Sequence, residues 1–231
     1  MDEKQLSALH GKQESGARYC SEMGSVGDET ARVRAIQDKE APRYDRRISF
    51  LERVLFGGGR EWVCSRAEGD VLELAAGTLR NLQHYRQGVK LTAVELSPEM
   101  AAIGRKRAEE LGREIDLRVG DVQNLDLPDE SFDTVTCTLS FCTIPDTNAA
   151  AEEAFRVLRP GGKLLMLEHV RSPAAAVRSV ERLLEPLSVR FLADHLTREP
   201  LDYLPGAGFE IDEVHRSKWG IVERLRAHKP E

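Results

Sequence analysis

The chain has 231 residues, 41% hydrophobic and 31% charged, which suffices for one domain with a full core and excludes the disordered and membrane-spanning classes. A formal net charge of -6 with no long basic run removes the electrostatic source of nucleic-acid binding, so no nucleic-acid partner is expected. The N-terminal stretch MDEKQLSALHGKQESG has neither a signal-peptide core nor an apolar span, so a cytoplasmic protein without stable membrane insertion is expected.

Residues 1–40 read as an N-terminal lid or flexible segment and residues 41–231 as the folded domain. Up to about residue 30 the chain is polar and weakly periodic, and from Thr30 a helical pattern sets in. After Pro42 the run YDRRISFLERVLF places Ile48, Leu51, Val54 and Leu55 on one helical face, and Gly57-Gly58-Gly59 ends it. A strict alternation follows. GDVLELAA reads as a strand, the segment from Gln83 to Arg86 as a helix, and VKLTAVEL as a strand. Ser97 as cap with Pro98 at the first position opens the next helix. EIDLRVGD and SFDTVTCTLS are strands, DTNAAAEEAFRVL a helix, GGKLLMLEHV a strand and AVRSVERLLEPLSVRFL a helix whose apolar face is expected to pack on the sheet. FEIDEVHRSKW and GIVERLRAHK close the chain as a hairpin. The expected class is α/β: a mostly parallel seven-stranded sheet between two helical layers, ending in a C-terminal antiparallel hairpin.

Cys20, Cys64, Cys137 and Cys142 form no C-x-x-C pair, and the six histidines fall in no ligand spacing, so neither a disulfide framework nor a metal is expected. In a sheet of this kind ligands bind beyond the carboxyl ends of the strands, which directs attention to Glu73-Leu74-Ala75-Ala76-Gly77-Thr78-Leu79. A dinucleotide fingerprint needs G-x-G-x-x-G, and only Gly77 occupies one of those positions. Glu95 ends the second strand roughly 20 residues further on, where an acid can accept both hydroxyls of an adenosine ribose. By spacing alone Glu95 reads equally as an acid exposed at a strand end. Asp121, after the third strand, suits either an adenine amino group or a turn cap.

From about Tyr44 onward the chain resembles the class I S-adenosylmethionine-dependent methyltransferases, in particular the branch of quinone C-methyltransferases and small-molecule or thiol methyltransferases. The resemblance rests on VLELAAGTLRNL, TAVELSPEM, GDVQNLDLPDESFDTV, FRVLRPGGKLLMLEHV and the DHLTRE segment. It implies a Rossmann-like three-layer sandwich, S-adenosyl-L-methionine as cofactor and a small-molecule acceptor, aromatic, quinone-like or a natural product, and leaves a homodimer open. Carried over by position, it implies that Glu73, Ala75 and Gly77 line the methionine moiety and that Glu95 binds the ribose. Leu96 and Met100 would flank the adenine, Asp121 and Val122 would read its amino edge, Thr138 would cover the methionine end, and Tyr44 would close over the cofactor. Ala75 and Leu79 stand where the family usually has glycine, and Leu79 is expected to begin a helix and pack beneath it.

Methyl transfer from a sulfonium is an in-line displacement that alignment and desolvation can drive without a covalent nucleophile. A base aids an acidic acceptor, and histidine has the suitable pKa. His195, in the H-L-T-R run, is the first candidate and His169, at the end of the fifth strand, the second. Arg198 is a candidate anion anchor or salt-bridge partner, Phe141 a candidate ring support, and Cys142 is given no role. The departures at Ala75 and Leu79 keep two alternatives in view: a cyclase or isomerase on the same fold, and a non-catalytic binding protein.

Overall fold

The computed structural model describes residues 25–231. Cys20, His10 and the first 24 residues of the expected lid lie outside the described residues. Helix α1 spans Val26–Leu51, opened by a reciprocal capping box between Ser25 and Asp28. It continues as a π-turn over Glu52–Phe56, and after Gly57 a short helix α2 spans Gly59–Cys64. Three strands follow: β1 (Asp70–Leu74), β2 (Lys90–Glu95) and β3 (Asp116–Val119), with α3 (Pro98–Glu110) between the last two. After them come β4 (Phe132–Thr138), α4 (Thr147–Val157), β5 (Leu158–His169), α5 (Ala175–Leu192), β6 (Glu210–Ser217) and β7 (Val222–His228).

These strands form one seven-stranded sheet in the order β3-β2-β1-β4-β5-β7-β6, in which β7 runs antiparallel to both of its neighbours. The alternation and the closing hairpin are therefore as the sequence pattern implies. Central strands are buried on both faces: Leu72, Leu74, Val135 and Cys137 join one apolar cluster, Val71, Ala93, Leu165 and Leu167 the other. The order reverses beside β1, between β2 and β4, which opens a crevice at the strand ends there.

Three expectations need correction, and one helix was not foreseen. The 40/41 boundary falls inside α1, which passes through Pro42 without interruption because that ring sits on the exposed side while Val33, Ala41 and Ile48 bury the other. Helix α2 was not foreseen, since six residues are too few to show a period. Around Gln83–Arg86 there is only a single 3-10 turn over Leu82–His84. Its flanks are held by hydrogen bonds from Asn81 and Tyr85 to Glu73, which take the place of helical bonding. Finally, α5 has no buried residue at all and does not pack its apolar face on the sheet.

Candidate active site

Helix α1 is tied across the crevice at three points. The Thr30 hydroxyl accepts from Gln123 Nε2 at 3.0 Å, Asp38 accepts from the Ser97 hydroxyl at 2.5 Å, and Asp45 takes the Thr78 hydroxyl at 2.6 Å together with Arg107. Beneath the helix lie two adjoining chambers of about 80 and 20 Å³. Ala75, Glu95, Gln37 and Thr143 border both. Gly77, Met100 and Tyr44 border the larger, and Leu96, Asp121 and Val122 the smaller. The structure thus gathers eight of the ten expected cofactor residues, Tyr44 on α1 among them, around one cleft.

The cleft's loop has an unusual backbone. Ala75, Gly77 and Leu79 all adopt positive φ, at 47°, 57° and 56°. This left-handed region costs an L-residue roughly 1–2 kcal/mol, so the alternate positions where the family has glycine keep a glycine backbone without the glycine. Leu79 therefore starts no helix. Its fully buried side chain packs against α3 at Gly104, where a Cβ would come within 3.0 Å of Leu79 Cγ, and so it leaves the cleft open. At Gly77 a Cβ would meet nothing within 4 Å, because that side of the loop faces the chamber.

Glu95 spans the loop and the next helix. One carboxylate oxygen accepts from the Gly77 amide at 2.7 Å and the other from the Ser97 amide at 2.8 Å. Burial raises its pKa against the pull of these amides. Asp121 accepts from Gln123 on the opposite wall. Gln37, missed in the sequence, carries a buried Oε1 with no hydrogen-bond partner among the described residues and borders both chambers. The signal was its position two helical turns before Tyr44 on the same face of α1. A ribose acceptor, a glycine-bare backbone and an orphaned amide oxygen in one cleft fit an adenosyl ligand. Together the two chambers are smaller than the roughly 300 Å³ of a usual ligand pocket.

Glu73 and Thr138 do not border the cleft. Glu73 accepts from Asn81 at 2.9 Å and from Tyr85 at 3.0 Å, while Thr138 Oγ1 receives Arg60 at 2.9 Å and Asn81 at 3.0 Å. Arg60 also bonds Glu52. This buried network supports the loop from below. Burial pushes the Glu73 pKa up to about 7, against the Tyr85 and Asn81 hydrogen bonds and the Arg60 charge.

A third cavity, of about 330 Å³, meets the larger chamber at Tyr44, Arg47, Leu139 and Thr143. Its walls are mostly apolar, from Ile48, Leu51, Phe56, Val170, Leu192 and Leu196. His169, Asp194 and Cys142 supply a polar corner, with His169 Nε2 2.9 Å from Asp194 Oδ1. Burial acts to lower the His169 pKa, but the Asp194 carboxylate outweighs it and holds the pKa above its ordinary value. Burial likewise acts to raise Asp194, and the charge and hydrogen bond of His169 keep it low. The ligand atoms of Cys142, His169 and Asp194 lie within 4.8 Å of one another, a grouping that no local spacing announces and that could take a cation. Here Asp194 accepts from both neighbours, and burial raises the Cys142 thiol far above its usual range.

The other expected acceptor residues are elsewhere. His195 is absent from this cavity; it borders a surface pocket with Arg32 and Arg190, and its ring lies 3.7 Å from Glu185. Phe141 is buried against Tyr203, stacked at 5.2 Å, because it follows the strand on the face away from the cavity. Arg198 donates to the carbonyls of Phe141 and Ile144 and so braces that loop, and it forms no salt bridge among the described residues.

Residues 72–166 match the family model described as a methyltransferase domain. The chain is 34% identical over 154 residues to a demethylmenaquinone methyltransferase of Thermus thermophilus, covering 62% of this chain and 68% of that one. It is 31% identical over 225 residues to a ubiquinone/menaquinone biosynthesis C-methyltransferase of Roseobacter denitrificans, covering 85% and 90%. Among solved structures, a SAM-dependent methyltransferase of Thermotoga maritima superposes with a TM-score of 0.66 at 24% identity, over 84% of this chain and 99% of that one, which shows the shared fold. The cyclase and binding-protein alternatives are not favoured. The Glu95–Gly77 cleft and these likenesses agree, and the chain belongs to the S-adenosylmethionine-dependent methyltransferases.

Proposed function

We propose that the chain methylates a lipophilic aromatic acceptor of the reduced-quinone or phenol type, held in the 330 Å³ cavity with its reacting atom toward Tyr44. The observation that carries this reading is the seat of the His169–Asp194 pair in a largely apolar cavity that adjoins the cofactor cleft. Glu95, Gln37 and Asp121 hold the adenosyl part, and Gly77 with Ala75 bounds the methionine part. The cofactor supplies an electrophilic methyl group on a sulfonium.

The chain's own residues supply position and proton transfer. Neutral His169 removes the hydroxyl proton of the acceptor, which makes its oxygen and the adjoining ring carbon nucleophilic, and Asp194 stabilises the imidazolium that forms. The apolar walls exclude water from the line of displacement. Quinone-type acceptors also agree with the demethylmenaquinone and ubiquinone/menaquinone relatives.

The test is methyl transfer from labelled S-adenosylmethionine to three acceptors: a short-chain demethylmenaquinol, a catechol and an alkyl thiol. Transfer to the quinol or catechol, reduced about 100-fold or more by His169→Ala with unchanged S-adenosylhomocysteine affinity, is the expected result. Transfer to the thiol alone, or full activity in His169→Ala, overturns the reading.

A further inference from the structure

Helix α5 is amphipathic, yet its apolar side faces outward. Val180, Leu183, Leu184, Leu187 and Phe191 recur at helical spacing and are all exposed, Leu183 at 76% and Phe191 at 63%. Its acids turn inward instead: Glu181 accepts from the Ser172 amide and Glu185 from the Thr197 hydroxyl. Arg182 and Arg190 remain on the exposed surface.

The same arrangement recurs across the acceptor cavity. Phe50, Leu51 and Val54 are exposed at the end of α1 and in the π-turn, while Asp45 and Glu52 are spent inward on Arg107, Arg60 and Arg80. Arg43, Arg46 and Arg53 lie exposed beside them. Among the described residues, none of Arg43, Arg46, Arg53, Arg182 and Arg190 forms an ion pair. A chain of net charge -6 thus shows an apolar and cationic face on this side. Both elements wall the 330 Å³ cavity, and Leu51 is at once exposed and part of its lining.

We propose that α5 and the end of α1 form a docking face for an anionic lipid surface. The leucines and phenylalanines enter the boundary between headgroups and acyl chains, the arginines meet lipid phosphates, and the mouth of the acceptor cavity opens against the lipid. The attachment proposed is peripheral and reversible; no helix among the described residues is long and apolar enough to cross a membrane. A second copy suits the face less well, because a two-fold interface would set one arginine cluster against its own image. The proposal goes beyond methyl transfer and is read without acceptor or turnover.

The test is flotation of the full chain with phosphatidylcholine vesicles, alone or with about a third phosphatidylglycerol, at about 50 and about 500 mM salt. Binding to anionic vesicles, at least about tenfold weaker on neutral vesicles and in high salt, is expected. Leu183→Glu with Leu187→Glu should abolish it, and Arg182→Glu with Arg190→Glu should weaken it about tenfold or more. Both pairs should keep wild-type melting and S-adenosylhomocysteine affinity. Absence of anionic preference, or binding that survives both pairs, overturns the proposal. So does a dimer in sedimentation velocity that Leu183→Glu dissociates while vesicles go unbound.

Discussion

Replacing Ala75 by glycine should stabilise this protein, although the same exchange weakens most proteins. Ala75 sits at φ 47°, where an L-residue carries roughly 1–2 kcal/mol of strain that glycine does not. Against this stand about 0.5–1 kcal/mol from the freer unfolded chain and part of the ~0.8 kcal/mol for one half-buried methyl group. The balance is about 0–1 kcal/mol in favour of glycine. For a domain of this size that is up to about 2–4 °C in Tm. Ala102, exposed within α3, is the control, and Ala102→Gly should cost about 1 kcal/mol. Urea unfolding of the two variants and the parent measures the difference, expected at about 1–2 kcal/mol. Equal destabilisation by both exchanges would show that position 75 bears no strain.

At Leu79, loss of a fully buried side chain outweighs relief of φ 56°, so Leu79→Gly should destabilise by about 1–3 kcal/mol and be no worse than Leu79→Ala, as chemical denaturation can establish. Gly104→Ala should destabilise the parent, where the new methyl would crowd Leu79, but stabilise Leu79→Gly by about 1 kcal/mol; an additive double-mutant cycle would refute the contact. Glu73, with a pKa raised from 4.5 to about 7, favours the fold fully below pH 4.5, and that contribution is lost as pH rises toward 7. Stability of the parent relative to Glu73→Gln should therefore fall by about 3 kcal/mol between pH 4.5 and 7, and a flat difference would contradict the buried, protonated carboxyl. Asp194 holds the His169 pKa up, so Asp194→Asn should move the acidic limb of kcat/KM to lower pH, with a smaller effect on S-adenosylhomocysteine binding; an unmoved limb would remove His169 as the base.

The strand–helix alternation and the closing hairpin were legible because each element carries its own period and its own cap, as Ser97-Pro98 does for α3. That Glu95, Asp121 and Gly77 lie at one crevice was legible because strand ends in a parallel sheet converge there. Which way a side chain faces beyond a strand end was not. Thr138 ends β4 and turns to the buried network, and Phe141, beyond the bend at Leu139 with its φ of 55°, turns to Tyr203. His169 and Asp194 stand 25 residues apart and meet only because α5 returns the chain beside the end of β5. The heptad-like apolar pattern of α5 is the same whether a sheet, a lipid or solvent lies against it, so its exposure could not be read from spacing.

The central claim is that the cleft under α1 binds the adenosyl cofactor through Glu95. Calorimetric titration of S-adenosylhomocysteine into the parent and into Glu95→Gln tests it most directly. The account expects saturable one-to-one binding by the parent, weakened about tenfold or more when the ribose acceptor loses its charge. Absence of binding to the parent at millimolar ligand, or equal affinity in both proteins, would contradict it.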